Sequence, residues 1–285
     1  MIDAENIAYC VTRLECLNEN GSTSVGTGFI FSIHADGGTH VPLLVTNRHV
    51  IANATQVRFL LTKKDPNGQP IMSDYQAVTI SGRSLWKNHP DDHVDLCAMI
   101  FGHILNEFTN KLKTEIKWSR IAPSNIPNQE QFATMNAVED VVMVGYPIGL
   151  WDSHNNRPIF RKGITATKPG LPYNGRKEFL IDIAAFPGSS GSPVFLYKEG
   201  FSVVNTAGDR LAGRDDRFFF IGVLYAGPMY NAEGEIEIQN VPTSTDPKIM
   251  FRIPTNLGIV ISSEVLMEFE SVFPAPVSVP GPSGV

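Results

Sequence analysis

Apolar residues in this chain come in short runs, broken at close intervals by Gly, Pro, Asn and Asp. Runs at 7–17, 28–33, 41–46, 57–61 and 75–80 have the length and mixed polarity of half-buried strands. Asn18-Glu19-Asn20-Gly21, the Gly-rich 35–39 and Asp65-Pro66-Asn67-Gly68 supply turns between them. Residues 103–116 read as a helix and, with 117–127, as a link to a second strand set at 141–144, 163–167, 179–183, 194–197, 218–224 and 248–253. A short final helix is expected over 265–273, capped by Ser262 or Ser263. Residues 274–285 form a Pro/Gly/Ser-rich tail. The pattern predicts an all-β fold, barrel or sandwich, with domains at 1–125 and 126–273 and the tail at 274–285.

Composition narrows this only slightly. With 285 residues, 42% hydrophobic and 18% charged, the chain can bury a sizeable core. A net charge of −6 argues against a nucleic-acid or anionic-membrane partner. Met1-Ile2-Asp3-Ala4-Glu5 is acidic where a secretory signal starts basic, and no apolar run approaches the roughly 20 residues of a membrane span. Cys10, Cys16 and Cys97 are odd in number and sit in apolar contexts. They read as inert core thiols in a reducing compartment, so a cytoplasmic location is expected.

Chemistry concentrates in three places. Pro187-Gly188-Ser189-Ser190-Gly191-Ser192-Pro193 is a tight turn between two apolar runs and holds three serines. By itself it is a solvated turn as readily as a nucleophile loop. His49 closes the apolar run 41–45 inside Thr46-Asn47-Arg48-His49-Val50. Asp95 stands before Leu96-Cys97-Ala98-Met99-Ile100, 46 residues after His49 and 95 before Ser190. Asp91 and Asp92 rival Asp95, and Ser189 and Ser192 rival Ser190. His89, Asp91, Asp92 and His93 also allow a metal cluster, although their crowding fits a solvated loop better, and no metal or cofactor is expected.

The order His, Asp, Ser and the flanking residues resemble the chymotrypsin-like (trypsin-like) serine proteases. The nearest flavour is the bacterial high-temperature-requirement and cytosolic trypsin-like peptidases. Further marks are Gly26-Thr27-Gly28-Phe29-Ile30, Gly145-Tyr146-Pro147-Ile148-Gly149-Leu150, Arg161-Lys162-Gly163-Ile164, Asp182 and Ile253-Pro254-Thr255-Asn256. The resemblance runs from about residue 25 to 261.

It implies two antiparallel six-stranded β-barrels with a short C-terminal helix and the site between them. Ser190 would be the nucleophile, His49 its general base and Asp95 the group that orients the imidazole. The N–H groups of Gly188 and Ser190 would form the oxyanion hole. Tyr225, Ala226 and Gly227 would pair with substrate backbone. Ala184 and Ala185 would floor a pocket that cannot anchor Lys or Arg, which favours a small or apolar residue before the cleaved bond (P1). Ser189 stands where zymogen-type relatives carry the aspartate that pairs with a freshly cut N-terminus, so propeptide cleavage is not the expected switch. The expected partner is a polypeptide substrate, with a regulatory protein partner left open for the enlarged loops 198–217 and 228–247. A serine endopeptidase is the first reading; a catalytically silent binding module on the same fold is the alternative.

Overall fold

A computed structural model describes residues 4–34, 40–198, 217–235, 248–254 and 256–275. The first strand set forms one antiparallel sheet: β1 (Val11–Asn18), β2 (Thr23–Ile33), β3 (Val41–Thr46), β4 (Ala54–Lys64), β5 (Pro70–Ser81), β6 (Lys87–Asn88) and β7 (Cys97–Ile100). Its order is β5-β4-β1-β2-β3-β7-β6. The second set comprises β8 (Asp140–Gly145), β9 (Ile159–Thr165), β10 (Glu178–Asp182), β11 (Pro193–Lys198) and β12 (Arg217–Ala226). After a separate ribbon of β13 (Met229–Glu235) and β14 (Lys248–Pro254), β15 (Leu257–Ser262) inserts between β10 and β12 and closes a six-stranded barrel.

Two expectations about this architecture need correction. Only the second sheet closes. The first has seven strands, and its edge strands β5 and β6 do not pair with each other. Closure requires edges that can share a ladder, and β6 offers only two residues, both exposed. The sixth barrel strand was expected at 248–253; that segment pairs instead with β13, inside what looked like a loop. Residues 199–216 and 236–247, the remainder of the two enlarged loops, lie outside the described residues, as does the tail from 276.

The expected helix at 103–116 is shorter. Helix α1 is the single turn Ala4–Ile7, and α2 spans only Gly102–Glu107. A wide turn over Phe108–Leu112 follows and ends at Lys113 with φ +52°. The chain then pairs with β4: the amides of Lys64 and Lys117 donate to the carbonyls of Glu115 and Thr62 at 3.0 and 2.8 Å. Helix α3 (Gln129–Thr134) was not anticipated, although Asn128 and Gln131 form a reciprocal capping box at 2.8 and 2.9 Å. The C-terminal segment Ser263–Ser271 is 3-10 in form. Ser262 occupies its N-cap position without a side-chain cap bond, and the buried Ser263 hydroxyl has no partner among the described residues.

Apolar packing joins the two sheets. Phe220 of β12 packs 5.6 Å from Phe29 and 6.2 Å from Phe31 of β2, ring to ring. Val144, Tyr146, Phe195 and Val223 belong to the same buried cluster as Leu14, Leu44 and Val45. A second cluster, with Val141, Phe179, Ile181, Ile221 and Val260, fills the barrel. Backbone hydrogen bonds also cross between the two sheets near the candidate residues, as where Thr27 N donates to the Ser190 carbonyl at 2.9 Å. All three cysteines are free and buried, and burial pushes their thiols up, Cys16 to about 11. No helix among the described residues is long and apolar enough to cross a membrane.

Candidate active site

Strand β3 is almost wholly buried to Thr46, and a single 3-10 turn, Arg48–Val50, then lifts His49 to the surface. Strand β7 pairs Cys97 with Thr46, so the segment before β7 arrives beside that turn. The Asp95 carbonyl accepts from the Asn47 side chain at 2.9 Å and from the Arg48 amide at 3.3 Å. Its carboxylate accepts the His49 amide through Oδ1 at 3.1 Å and meets His49 Nδ1 through Oδ2. Arg48 Nε lies 4.0 Å from Oδ1. The His49 side chain is 49% exposed and that of Asp95 19%, so the carboxylate sits behind a ring whose other nitrogen is free to face solvent or substrate.

Of the three candidate aspartates, Asp95 is the one brought to His49. Asp91 uses Oδ1 to accept the His93 amide at 2.9 Å. Asp92 is fully exposed and 3.9 Å from Arg48. His89, one member of the alternative metal cluster, is committed elsewhere. Its Nδ1 accepts the Asp91 amide at 3.1 Å, which leaves Nε2–H to donate to the Val265 carbonyl at 2.9 Å. The ring stands edge-on to Phe269 at 5.2 Å, so His89 ties the Asp91–Asp95 approach to the C-terminal segment.

The turn between β10 and β11 separates its three serines. Ser189 is buried and its hydroxyl finds no partner among the described residues. Ser192 is buried and donates to Thr27 Oγ1 at 3.3 Å. Ser190 is partly exposed, and its hydroxyl makes a long contact, 3.5 Å, with the Tyr225 carbonyl. Among the described residues no hydrogen bond joins Ser190 to His49.

Gly188 has φ +89°, and a Cβ there would stand 2.4 Å from the Tyr146 carbonyl; any side chain is excluded twice over. Gly191, at φ +87°, would collide with the Thr27 carbonyl at 1.9 Å. The Pro187 carbonyl accepts from Ile148 N at 2.6 Å and the Ser189 carbonyl from Ser192 N at 3.0 Å. In a trans peptide the N–H points away from its own carbonyl. The N–H groups of Gly188 and Ser190 therefore face the opposite side, and neither has an acceptor among the described residues.

Of the expected substrate-binding residues, Ala185 and Gly227 come close together. A Cβ on Gly227 would stand 2.8 Å from the Cβ of Ala185. The Tyr225 hydroxyl donates to Glu178 at 3.0 Å; burial first, then the Glu178 charge, push its phenol up to about 12. Ala226 ends β12 opposite Ile259. Ala184 has a partner the sequence did not suggest: Arg161 Nη1 donates to its carbonyl at 2.6 Å, while the guanidinium lies 5.3 Å over the Phe186 ring. Burial holds the Arg161 pKa below the usual arginine value. Thr27 was also missed as a site residue. The signal available for both was the motif that contained them, Gly-Thr-Gly at 26–28 and Arg-Lys-Gly at 161–163.

A closed antiparallel barrel, packed against a second sheet that supplies a carboxylate-held histidine, defines a trypsin-like arrangement. The family's trypsin-like peptidase domain matches residues 26–203, and the chain belongs to that family. No curated protein matches the chain. Similar solved structures include a serine endoprotease from Yersinia pestis, 15% identical over 94% of this chain with a TM-score of 0.46. The present chain spans 64% of that protein's length. A protease from M. tuberculosis, described as the active form, is 14% identical over 96% of this chain and 85% of its own, TM-score 0.45. The tobacco vein mottling virus protease is 12% identical over 92% and 80%, TM-score 0.44.

Proposed function

We propose that the protein is a serine endopeptidase acting through Ser190, His49 and Asp95. The observation that carries this reading is the His49–Asp95 pair, held by both the ring Nδ1 and the His49 amide in a chain of the trypsin-like peptidase family. With Nδ1–H given to Asp95, Nε2 keeps its lone pair and can accept the Ser190 proton. The Ser190 oxygen attacks the scissile carbonyl, and the negative charge that develops on the carbonyl oxygen is met by the N–H groups of Gly188 and Ser190. His49 passes its proton to the departing amine, leaving an acyl group on Ser190. Water, deprotonated by His49, then releases the carboxylic acid and restores the serine.

Polypeptide is the substrate in this account. Tyr225, Ala226 and Gly227 offer the strand edge for its backbone, and Ala184 and Ala185 wall the pocket for the P1 side chain. Ala184 and Ala185 carry no charge and Ala185 lies close to Gly227, which supports a small or apolar P1 residue over a basic one. Three buried thiols fit a cytoplasmic setting.

One observation favours the second reading, a silent binding module: the Ser190 hydroxyl rests on the Tyr225 carbonyl and not on His49. Labelling by a fluorophosphonate, with the modified residue mapped, separates the two. Modification at Ser190 supports the peptidase. A folded protein that stays unlabelled while binding peptides supports the module.

A further inference from the structure

We infer that Thr27 is the positioning residue that holds the nucleophile loop in the form a catalytic oxyanion hole requires. This rests on the peptidase reading for its chemistry, although the clamp itself is a matter of hydrogen bonds. Thr27 is fully buried on β2, in the first sheet, and more than 160 residues from the loop it grips. Its hydroxyl hydrogen goes to the Gly188 carbonyl at 2.9 Å. The hydroxyl's two lone pairs accept from Tyr146 N at 3.2 Å and Ser192 Oγ at 3.3 Å. That exhausts what a hydroxyl can do, one donor and two acceptor sites. The Thr27 amide donates to the Ser190 carbonyl at 2.9 Å, and the Thr27 carbonyl accepts from Thr46 Oγ1 at 2.7 Å. Thr46 lies three residues before His49, so one threonine links the strand that presents the base to the loop that presents the nucleophile.

The consequence follows peptide by peptide. All four carbonyls from Pro187 to Ser190 are occupied: by Ile148 N, Thr27 Oγ1, Ser192 N and Thr27 N in turn. Thr27 supplies two of the four, to the 188–189 and 190–191 peptides; these alternate with the 187–188 and 189–190 peptides, which carry the Gly188 and Ser190 N–H groups and are held by Ile148 N and Ser192 N. With the Gly188 and Ser190 carbonyls tied to buried Thr27, the peptides between and beside them cannot turn their N–H groups out of line without breaking those hydrogen bonds. The glycines confirm how close the packing is. A Cβ at Gly145 would stand 2.8 Å from Thr27 Oγ1, and one at Gly191 would strike the Thr27 carbonyl. The free N–H groups of Gly188 and Ser190 are thus set by contacts made inside the folded chain. No ion pair at Ser189 takes part, since Ser189 is uncharged and its hydroxyl has no partner among the described residues.

The test uses Thr27→Val, which keeps shape and amide but deletes the hydroxyl, and Thr27→Ser, which restores it. On a peptide with a small P1 residue, Thr27→Val should lower kcat by roughly 10–100-fold with KM within about threefold, a part of what losing an oxyanion donor costs. Thr27→Ser should recover most of the loss. Independently of turnover, amide hydrogen exchange is followed in a Ser190→Ala background. Adding Thr27→Val should speed exchange across 186–192 about tenfold or more and leave β8 and β12 unchanged. Equal kcat in wild type and Thr27→Val would overturn the inference, as would unchanged exchange in 186–192. If the wild type neither cleaves peptides nor reacts with a fluorophosphonate, yet exchange in 186–192 rises as expected, the clamp stands and the peptidase reading falls.

Discussion

The two halves of the candidate site are built on opposite principles. The His49–Asp95 half sits at the end of an open sheet, and its imidazole is half exposed. Among the described residues, the imidazole itself is held only through Nδ1, by the Asp95 carboxylate. The Ser190 half hangs from a closed barrel, and its backbone is fixed by a hydrogen bond on every carbonyl from 187 to 190. A proton shuttle needs a ring that can exchange with substrate and solvent, so rigidity there would be a cost. An oxyanion hole works only if its dipoles are aimed before the charge appears. The difference teaches where substitutions should act: at the first half on protonation, at the second on geometry.

The largest effect is expected from removing the nucleophile. Ser190→Ala should lower kcat on the order of 10⁴–10⁶-fold with little change in KM, measured by steady-state hydrolysis of one peptide. Next comes Asp95→Asn. It keeps the size but offers a donor to Nδ1, favouring the wrong tautomer, and should cost on the order of 10³–10⁴ in kcat. Asp95→Asn also removes the charge that favours the imidazolium, so it should shift the acid limb of the kcat/KM profile along the pH axis, whereas Thr27→Val should scale the profile without moving it. That contrast sharpens the comparison; parallel pH profiles for the two variants would break it. For the wild type, kcat/KM should climb from acid toward neutral pH, since only the neutral imidazole can accept the serine proton. A flat profile over that interval, with folding verified, would remove His49 from the role of base.

How much of this could be read from the sequence depended on distance along the chain. His49, Asp95 and Ser190 stood out as candidates because each sits in a short segment whose neighbours mark it. The closed barrel was only half legible. Residues 248–253 and 257–262 are both apolar enough for a strand, and which one enters the barrel is decided by partners far away: Gly258 has to pass Leu224 and Ile181, where a side chain would collide. The opening of the first sheet is equally non-local, set by how few residues β6 contributes. Thr27 and Arg161 were visible only as letters in motifs. Their roles arise from contacts with residues 161 and 23 positions away, which no local pattern encodes.

Smaller effects probe the walls of the pocket. Arg161→Met removes the donor to the Ala184 carbonyl and the cation over Phe186, and should raise KM roughly 3–10-fold with kcat nearly kept, as expected of a lost ground-state contact. A fall in kcat with KM unchanged would move Arg161 to the geometric half of the site. Smallest is Tyr225→Phe. It deletes one hydrogen bond to Glu178 and should destabilise the fold by about 1 kcal/mol in urea unfolding, with activity within about threefold, because substrate is expected to meet the Tyr225 backbone and not its hydroxyl.

The central claim is that Ser190 is a nucleophile activated by the His49–Asp95 pair. Mass spectrometry after fluorophosphonate treatment tests it most directly, run on the wild type and on Ser189→Ala, Ser190→Ala, Ser192→Ala and Asp95→Asn. The account predicts one adduct, on Ser190, in the wild type. It should be absent in Ser190→Ala, retained in the other two serine variants, and formed far more slowly in Asp95→Asn. An adduct that persists in Ser190→Ala, or that forms at the wild-type rate in Asp95→Asn, would contradict it.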